Sequence, residues 1–299
     1  MERVLFGDNQ FFAINHMSED KARAQAIRFQ DIDQIVRVLD DAYDCGIHVF
    51  MCTTHDRIAD ICDHVRSNKR RYQALKFYPC MPYAYKYANA ITEFGMIDAV
   101  RRFLPDEGAL GALLRGGMSI AKKDVEGIMR LLIDAEMRMF HDLPTPVIFL
   151  QNLVTDLLLG LGANTTYKLF AEYVRSAYGA EAGFITMNLP RLVDALESAG
   201  VDNPIVCANI NKAGFRMCGG VKACEEAIAT RRFRLIAMSV LASGAIAPRE
   251  AVEYIGGLDR VEAVVFGAST RKNIQEMKQL IDELSTDRLS RPASPSPPK

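Results

Sequence analysis

The sequence lacks the features that mark several classes of protein. Its seven cysteines are odd in number, scattered, and contain no Cys-x-x-Cys pair, which argues against a disulfide framework or a structural zinc site. No run of about 18 apolar residues is present, and the N-terminus has no charged segment followed by an apolar one. We therefore expect a soluble, cytoplasmic protein that does not span a membrane.

An excess of one charge is also missing. The 36 basic and 37 acidic residues leave a formal net charge of −1, and the two signs are interspersed along the chain. Without a strong positive field the protein has little attraction for nucleic acid or for an anionic membrane. With 49% hydrophobic and 24% charged residues, the chain has the composition of an ordinary globular protein. The expected partner is a small-molecule substrate, and the composition is compatible with a homo-oligomer.

Short apolar runs, each followed by polar residues, recur along the chain. They lie at residues 4–8, 49–54, 77–83, 147–152, 184–188, 205–211, 235–239 and 264–269. Continuous rather than alternating apolar runs indicate strands covered on both faces, as in a parallel sheet. Helical periodicity lies between them, at residues 31–45, 124–140, 166–177, 190–199, 248–255 and 270–284. The alternation predicts a (β/α)8 TIM barrel over residues 1–285.

Two segments depart from this alternation. The connection at residues 83–123 is much longer than an ordinary βα loop, so we expect the third βα loop to cover the barrel mouth. At the C-terminus, residues 288–299 contain four prolines and three serines without apolar periodicity. A disordered Pro/Ser-rich tail is therefore predicted at residues 286–299.

The ends of the last two predicted strands are suited to binding an anion. Residues 237–244 (Ala-Met-Ser-Val-Leu-Ala-Ser-Gly) and 264–270 (Val-Val-Phe-Gly-Ala-Ser-Thr) pass from apolar residues straight into small polar ones, and a helix follows. Such strand ends present free backbone N–H groups, and the helix adds its positive N-terminal end. The pattern predicts a phosphate site that needs no dedicated cation.

These two segments, together with Thr-Met-Asn-Leu-Pro at residues 186–190 and the run at 38–50, resemble the aldo-keto reductase family over about residues 4–284. The resemblance implies a nicotinamide dinucleotide lying across the barrel top. It assigns the nicotinamide amide to Asn188 and Asn209, the pyrophosphate to Ser239, Leu241, Ser243 and Gly244, and the adenosine end to Gly267, Ser269, Thr270, Arg271 and Lys272. The basic pair suits a 2′-phosphate and so favours NADP(H); alternatively, the pair is a solvated first turn.

The catalytic half departs from the family pattern. The family uses an Asp, Tyr, Lys and His tetrad, and the corresponding positions here hold Met51, Asp56, Cys80 with Met81, and Asn152. Because a tetrad acts as a unit, ordinary aldo-keto reductase chemistry is disfavoured. Two cofactor positions also differ, with Met238 in place of the usual stacking aromatic ring and Met277 in place of the Asn that contacts adenine.

Other residues at the predicted strand ends, including Asn152, are candidates for the chemistry. His55, with Asp8 or Asp56 to orient or oppose it, is the best choice for proton transfer; alternatively, His55 and Asp56 cap the helix that follows. Lys86 is a Schiff-base or proton-transfer lysine if it is buried, and an exposed loop lysine if it is not. A third arrangement, in which Cys52, His55 and Cys80 bind a metal, is kept as a minor alternative.

Three functions remain open at this point. The leading one is an oxidoreductase with altered catalytic residues that acts on a small polar or sugar-like substrate. The second is a cofactor-free lyase or isomerase, in which Ser243, Gly244, Gly267 and Ser269 bind the substrate's own phosphate. The third is a non-catalytic, nucleotide-sensing subunit that keeps the cofactor pocket and needs no turnover.

Overall fold

Eight parallel strands form a closed barrel in which each strand pairs with its neighbours in the sequence and β8 returns to β1. The structure is a computed structural model, which describes residues 1–12, 19–83, 122–258 and 260–290. The strands are β1 Val4–Gly7, β2 Val49–Thr53, β3 Lys76–Met81, β4 Val147–Leu150, β5 Glu181–Thr186, β6 Ile205–Asn209, β7 Arg234–Met238 and β8 Val261–Phe266. The predicted (β/α)8 barrel is confirmed, because each of the eight apolar runs contributes to one of these strands.

Helices surround the barrel. In the described residues they are α1 Glu19–Arg28, α2 Ile32–Asp44, α3 Asp56–Ser67, α4 Lys122–Met137, α5 Asn152–Gly160, α6 Thr165–Tyr178, α7 Leu189–Ser198, α8 Gly220–Thr230, α9 Pro248–Gly256 and α10 Arg271–Ser290. Capping residues in the sequence explain where helix α2 begins and ends. The Asp31 side chain caps α2 by accepting a hydrogen bond from the Asp33 N–H at 3.0 Å. Beyond its other end, Gly46 takes a left-handed φ of +80°, which glycine adopts without strain.

Three of these helices, α1, α5 and α8, were not singled out from the sequence. Helix α5 begins at Asn152, which the sequence had placed at the end of a strand, and only Gln151 separates it from β4. Only the two polar residues Gln151 and Asn152 separate the apolar run of β4 from that of α5. Helix α8 begins at Gly220 with no side-chain cap. Neither helix has a side-chain cap at its start, which is one of the signals by which helix starts are recognised.

The barrel interior is filled by side chains. Its buried apolar residues are Leu5, Val49, Met51, Tyr78, Cys80, Val147, Phe149, Ile185, Ile205, Cys207, Ile236 and Ala263. At the end where the strands begin, Arg234 pairs with Glu181 at 2.6 Å and with Glu262 at 3.3 Å. A packed interior leaves the carboxyl ends of the strands as the place where a site can form.

The two unusual segments lie largely outside the described residues. Residues 84–121 of the long third βα connection, with Lys86, are not described, and neither are residues 291–299 of the predicted tail. Helix α10 runs to Ser290, past residue 285, where the sequence analysis ended the barrel. All seven cysteines lie in the described part and are free thiols. Within that part, every helix is too short or too polar to cross a membrane.

Candidate functional site

Asp8 lies at the barrel mouth, directly after β1, and is only 5% exposed. Its Oδ2 atom accepts two hydrogen bonds of 2.7 Å, one from the backbone N–H of Thr53 and one from the Thr53 hydroxyl. Burial raises the pKa of Asp8 to about 6, although the Thr53 donors and the N–H of Asp8 itself act in the opposite direction. A carboxyl group that titrates near neutrality can both give and take a proton.

Two buried thiols lie close to this carboxyl group. Burial, with a further contribution from the charge of Asp8, raises the pKa of both Cys52 and Cys80 well above the usual thiol value. Protonated thiols are poor nucleophiles and poor metal ligands. No cluster of three or more metal-ligating side chains is found in residues 1–12, 19–83, 122–258 and 260–290. The minor hypothesis of a Cys52, His55 and Cys80 metal site therefore gains no support from the described part of the chain.

His55 occupies the N-cap of α3. Its Nδ1 atom accepts a hydrogen bond from the Arg57 N–H at 3.1 Å, and its ring stacks on Phe12 with 4.3 Å between centroids. The neutral ring therefore carries its hydrogen on Nε2. Asp56, the first residue of α3, is exposed and adds a negative charge at the helix start. The capping role is present in the structure, and proton transfer by His55 or Asp56 stays a prediction.

Two buried acceptors beside the mouth lack hydrogen-bond partners among the described residues. Gln10 donates from Nε2 to the Gly7 carbonyl at 2.8 Å, which leaves its Oε1 atom unpaired. A Cβ atom at Gly267 would overlap that Oε1, so the missing side chain there makes room for the amide. The Thr54 hydroxyl is also buried and unpaired. An unpaired buried polar group costs about 1–3 kcal/mol, and neither of these two atoms is exposed to solvent.

The positions of the family's tetrad hold no replacement acid or base in the interior. Met51 and Cys80 face the barrel interior, at 6% and 5% exposure, and Met81 packs between the barrel and the helices. Asn152 is the first residue of α5 and is half-buried. Within the described residues, these positions therefore bring no Asp, Tyr, Lys and His tetrad together.

The turn after β5 presents Asn188, one of the two residues assigned to the nicotinamide amide. The Thr186 hydroxyl accepts from the Asn188 N–H at 2.8 Å and donates to a carboxylate oxygen of Asp156 on α5. The other oxygen of Asp156 accepts from the Met187 N–H at 3.0 Å. Asn188 makes no side-chain cap bond to α7. Its half-buried amide is therefore held on a fixed backbone and remains available to a ligand.

Asn209, the second of these residues, is already engaged. It is 4% exposed and donates from Nδ2 to the Arg216 carbonyl at 3.0 Å. Only its Oδ1 atom remains to accept a hydrogen bond from a ligand. Of the two residues, Asn188 is therefore the better placed to bind an amide through both its donor and its acceptor.

The loop after β7 has an unusual backbone. Ser239, Ala242 and Ser243 have left-handed φ values of +54°, +46° and +59°, and Gly244 has +93°. Left-handed conformations are uncommon for residues with side chains and cluster at functional sites. Leu241, between them, has a right-handed φ of −81°. When left-handed and right-handed residues alternate in this way, successive backbone N–H groups point toward the same side of the loop and can bind one anion.

Several N–H groups of this loop have no internal acceptor. Those of Ala242 and Gly244 bond to carbonyl groups within the loop, at 2.9 and 2.8 Å. Those of Val240, Leu241 and Ser243 have no hydrogen-bond acceptor in the described part of the chain. The loop thus has the donors that the phosphate prediction requires.

The loop after β8 is tied to its neighbours. Arg28 of α1 donates to the Ser269 carbonyl at 2.6 Å, and the Thr270 hydroxyl accepts from the Asn273 N–H at 3.3 Å, which caps the start of α10. Arg271 forms ion pairs with two aspartates of α2, Asp41 at 3.1 Å and Asp44 at 3.9 Å. A 2′-phosphate would compete with these carboxylates for Arg271, whereas Lys272 is exposed.

The two remaining departures from the family pattern occupy different environments. Met238 is half-buried at the barrel mouth and packs against the interior cluster. Met277 is 3% exposed and packs between α10 and the barrel. Met238 is thus near the predicted nicotinamide site, and Met277 belongs to the core instead of facing a ligand.

Comparisons with known proteins find structures of similar fold. No family model matches the sequence, and no curated protein sequence matches it. Two structures of a candidate aldo-keto reductase from Pseudomonas aeruginosa align with a TM-score of 0.61 and 13% identity, over 95% of this chain and 91% of theirs. A candidate 2,5-diketo-D-gluconic acid reductase B aligns with a TM-score of 0.51 and 11% identity, over 98% of this chain and 90% of its own. The protein therefore shares the fold of these candidate reductases.

Proposed function

We propose that the protein is an NADP(H)-binding oxidoreductase with altered catalytic residues, which acts on a small polar or sugar-like substrate. The observation that carries the proposal is Asp8, a buried carboxyl group at the barrel mouth whose pKa is raised to about 6. In this proposal Asp8 carries out the proton transfer for which aldo-keto reductases use their Asp, Tyr, Lys and His tetrad. Neither Met51 nor Cys80 can do so near neutral pH.

The residues at the phosphate end fit a dinucleotide. The unpaired N–H groups of Val240, Leu241 and Ser243 suit a pyrophosphate, and the Asn188 amide suits a carboxamide. A bound dinucleotide supplies a hydride donor or acceptor. The residues assigned to the adenosine end of the dinucleotide fit it less closely, because the Arg271 side chain is already paired with Asp41.

Asp8 acts by holding or releasing one proton. In its neutral form it donates a proton to the oxygen of a carbonyl group that is being reduced, and in its charged form it accepts one from an alcohol that is being oxidised. Thr53 steadies the charged form through its N–H and its hydroxyl.

The cofactor assignment is tested by titration of the protein with NADPH, followed by fluorescence. We expect saturable binding by the wild type and weaker binding by Gly244→Ala, because a side chain at φ +93° forces the loop to change shape. Gly160→Ala is the matched control, since a Cβ there has nothing within 4 Å and lies far along α5. A wild type that does not bind NADPH would contradict the proposal.

Turnover should depend on the protonation of Asp8. With NADPH and a panel of sugar-like carbonyl compounds, we expect the rate of reduction to fall as the pH rises through about 6, the pKa of Asp8. The reverse oxidation should rise over the same range. Asp8→Asn should still bind NADPH but lose at least about 100-fold in rate. Full activity in this variant would exclude Asp8 as the proton-transfer group, and a Thr53→Ser variant, which keeps both donors, should retain the wild-type profile.

A further inference from the structure

The turn after β5 is held from two neighbouring elements. The Met187 N–H donates to a carboxylate oxygen of Asp156 on α5 at 3.0 Å, and the Met187 carbonyl accepts from the Cys218 N–H of the loop before α8 at 2.9 Å. Both backbone hydrogen-bonding groups of Met187 are therefore bound by residues outside the turn. The backbone of Asn188, the next residue, starts from a fixed position at the end of the strand.

Thr186 connects Asp156 to Asn188. This threonine is fully buried, its hydroxyl donates to the second carboxylate oxygen of Asp156, and the same hydroxyl accepts from the Asn188 N–H at 2.8 Å. Because a carboxylate can only accept, it fixes the direction of the Thr186 hydroxyl hydrogen and leaves the oxygen lone pairs to Asn188. An asparagine at position 156 has one acceptor atom for two donors, the Thr186 hydroxyl and the Met187 N–H. The arrangement therefore requires a carboxylate.

The surroundings of Asp156 are otherwise unfavourable to a charge. Burial raises the pKa of Asp156, and the hydrogen bonds from Thr186 and Met187 act in the opposite direction. Within the described residues, Asp156 forms no ion pair that would compensate its charge. Since a buried carboxylate without a counter-ion lowers stability, the two bonds to the β5 turn are the contacts that account for an aspartate at this position.

We propose that Asp156 is a positioning residue, which acts through Thr186 to hold the Asn188 amide where it binds the carboxamide of a nicotinamide ring. This inference rests on the dinucleotide of the proposed function and adds the residue that sets the geometry at its nicotinamide end. The Asn188 side chain makes no cap bond to α7, so its donor and its acceptor can pair with those of a carboxamide. A shift of the turn weakens both of these bonds at once. Asp156 itself does not contact the cofactor.

Thr186→Val should weaken the binding of NADPH about tenfold, because it keeps the shape of the side chain and removes both of its hydrogen bonds. Binding of 2′-phospho-ADP-ribose, which is the same cofactor without the nicotinamide ring, should not change. Thr186→Ser keeps the hydroxyl and should retain most of the affinity for NADPH. Asp156→Asn should resemble Thr186→Val, and it provides the measurement if the valine variant does not fold. Isothermal titration with both probes measures these affinities.

A double-mutant cycle shows whether Thr186 acts through Asn188. Asn188→Ala removes the amide itself, so adding Thr186→Val to it should weaken the binding of NADPH no further. Thr155→Val is the matched control, because Thr155 is also fully buried but its hydroxyl donates to carbonyl groups at the end of β4 and the start of α5. This control variant should leave the affinity for both probes unchanged. Additive losses in the double variant would contradict a role exerted through Asn188.

The two probes separate failure of this inference from failure of the proposed function. Wild-type affinity for NADPH in both Thr186→Val and Asp156→Asn, or an equal loss for the two probes, would overturn the role of Asp156 and leave the proposed function standing. Equal affinity of the wild type for NADPH and 2′-phospho-ADP-ribose would show that Asn188 binds no carboxamide, which also overturns this role alone. A wild type that binds neither probe would overturn both.

Discussion

The Asp8→Asn variant is expected to be more stable than the wild type at pH 8, by about 3 kcal/mol, and to differ little from it below pH 4. Burial raises the pKa of Asp8 from its ordinary value of 3.8 to about 6. Each pKa unit corresponds to about 1.4 kcal/mol, so a shift of this size gives the stated difference. Asparagine has nearly the same shape, and its oxygen can still accept from Thr53.

The sign follows from which state of the chain binds the proton more tightly. Because the pKa of Asp8 is higher in the folded protein, folding is favoured by protonation. This contribution is fully present below the unfolded value of 3.8 and is lost as the pH rises through about 6. Above that pH the folded wild type contains a buried carboxylate, which asparagine never does. The wild type should therefore lose stability over this interval relative to the variant.

Urea denaturation at pH 4 and pH 8 measures this effect. Thr53→Val is the complementary variant, since it removes the hydroxyl that donates to Asp8 Oδ2 at 2.7 Å. It should destabilise the protein more at pH 8 than at pH 4, because the lost bond is stronger when the carboxyl group is charged. An Asp8→Asn variant that is less stable than the wild type at pH 8 would mean that Asp8 is a well-compensated structural carboxylate. Higher stability with lost turnover would instead be typical of a residue kept for function.

The barrel was predictable because its strands are buried on both faces. Continuous apolar runs such as Val147–Leu150 identify such strands without knowledge of their partners. The start of β5 was missed, since Glu181 and Gly183 interrupt the apolar pattern there. Glu181 pairs with Arg234, and Gly183 makes room for an aromatic ring, so both exceptions depend on contacts with other strands.

From the sequence alone, only those site residues that directly follow a strand could be predicted. Asp8 could be named because it follows β1, but its burial and its bonds to Thr53 depend on the pairing of β1 with β2. Asp156, which fixes the turn that carries Asn188, lies on α5, a helix that the sequence did not indicate. The donors of the β7 loop depend on left-handed φ angles at Ser239, Ala242 and Ser243, which no residue pattern reveals.

Gly183→Ala is expected to destabilise the protein by about 3 kcal/mol, although it adds a single methyl group. A Cβ atom at Gly183 would lie less than 3.0 Å from three ring carbons of Phe149, its partner across the β4 and β5 pair. The Phe149 ring is fully buried and has Tyr78 as its neighbour, with 6.1 Å between ring centroids. The ring therefore cannot move away without disturbing the barrel interior, and overpacking of this kind costs about 1–3 kcal/mol or more.

A second substitution distinguishes this steric conflict from a loss of backbone flexibility. If the ring is the obstacle, Phe149→Leu combined with Gly183→Ala should be more stable than the sum of the two separate effects predicts, because the smaller side chain leaves space for the new methyl group. Gly160→Ala serves as the control, since its added methyl group meets nothing within 4 Å and alanine is the better helix former. Additive effects in the double variant, measured by urea denaturation at pH 7, would show that Phe149 does not determine the need for glycine at position 183.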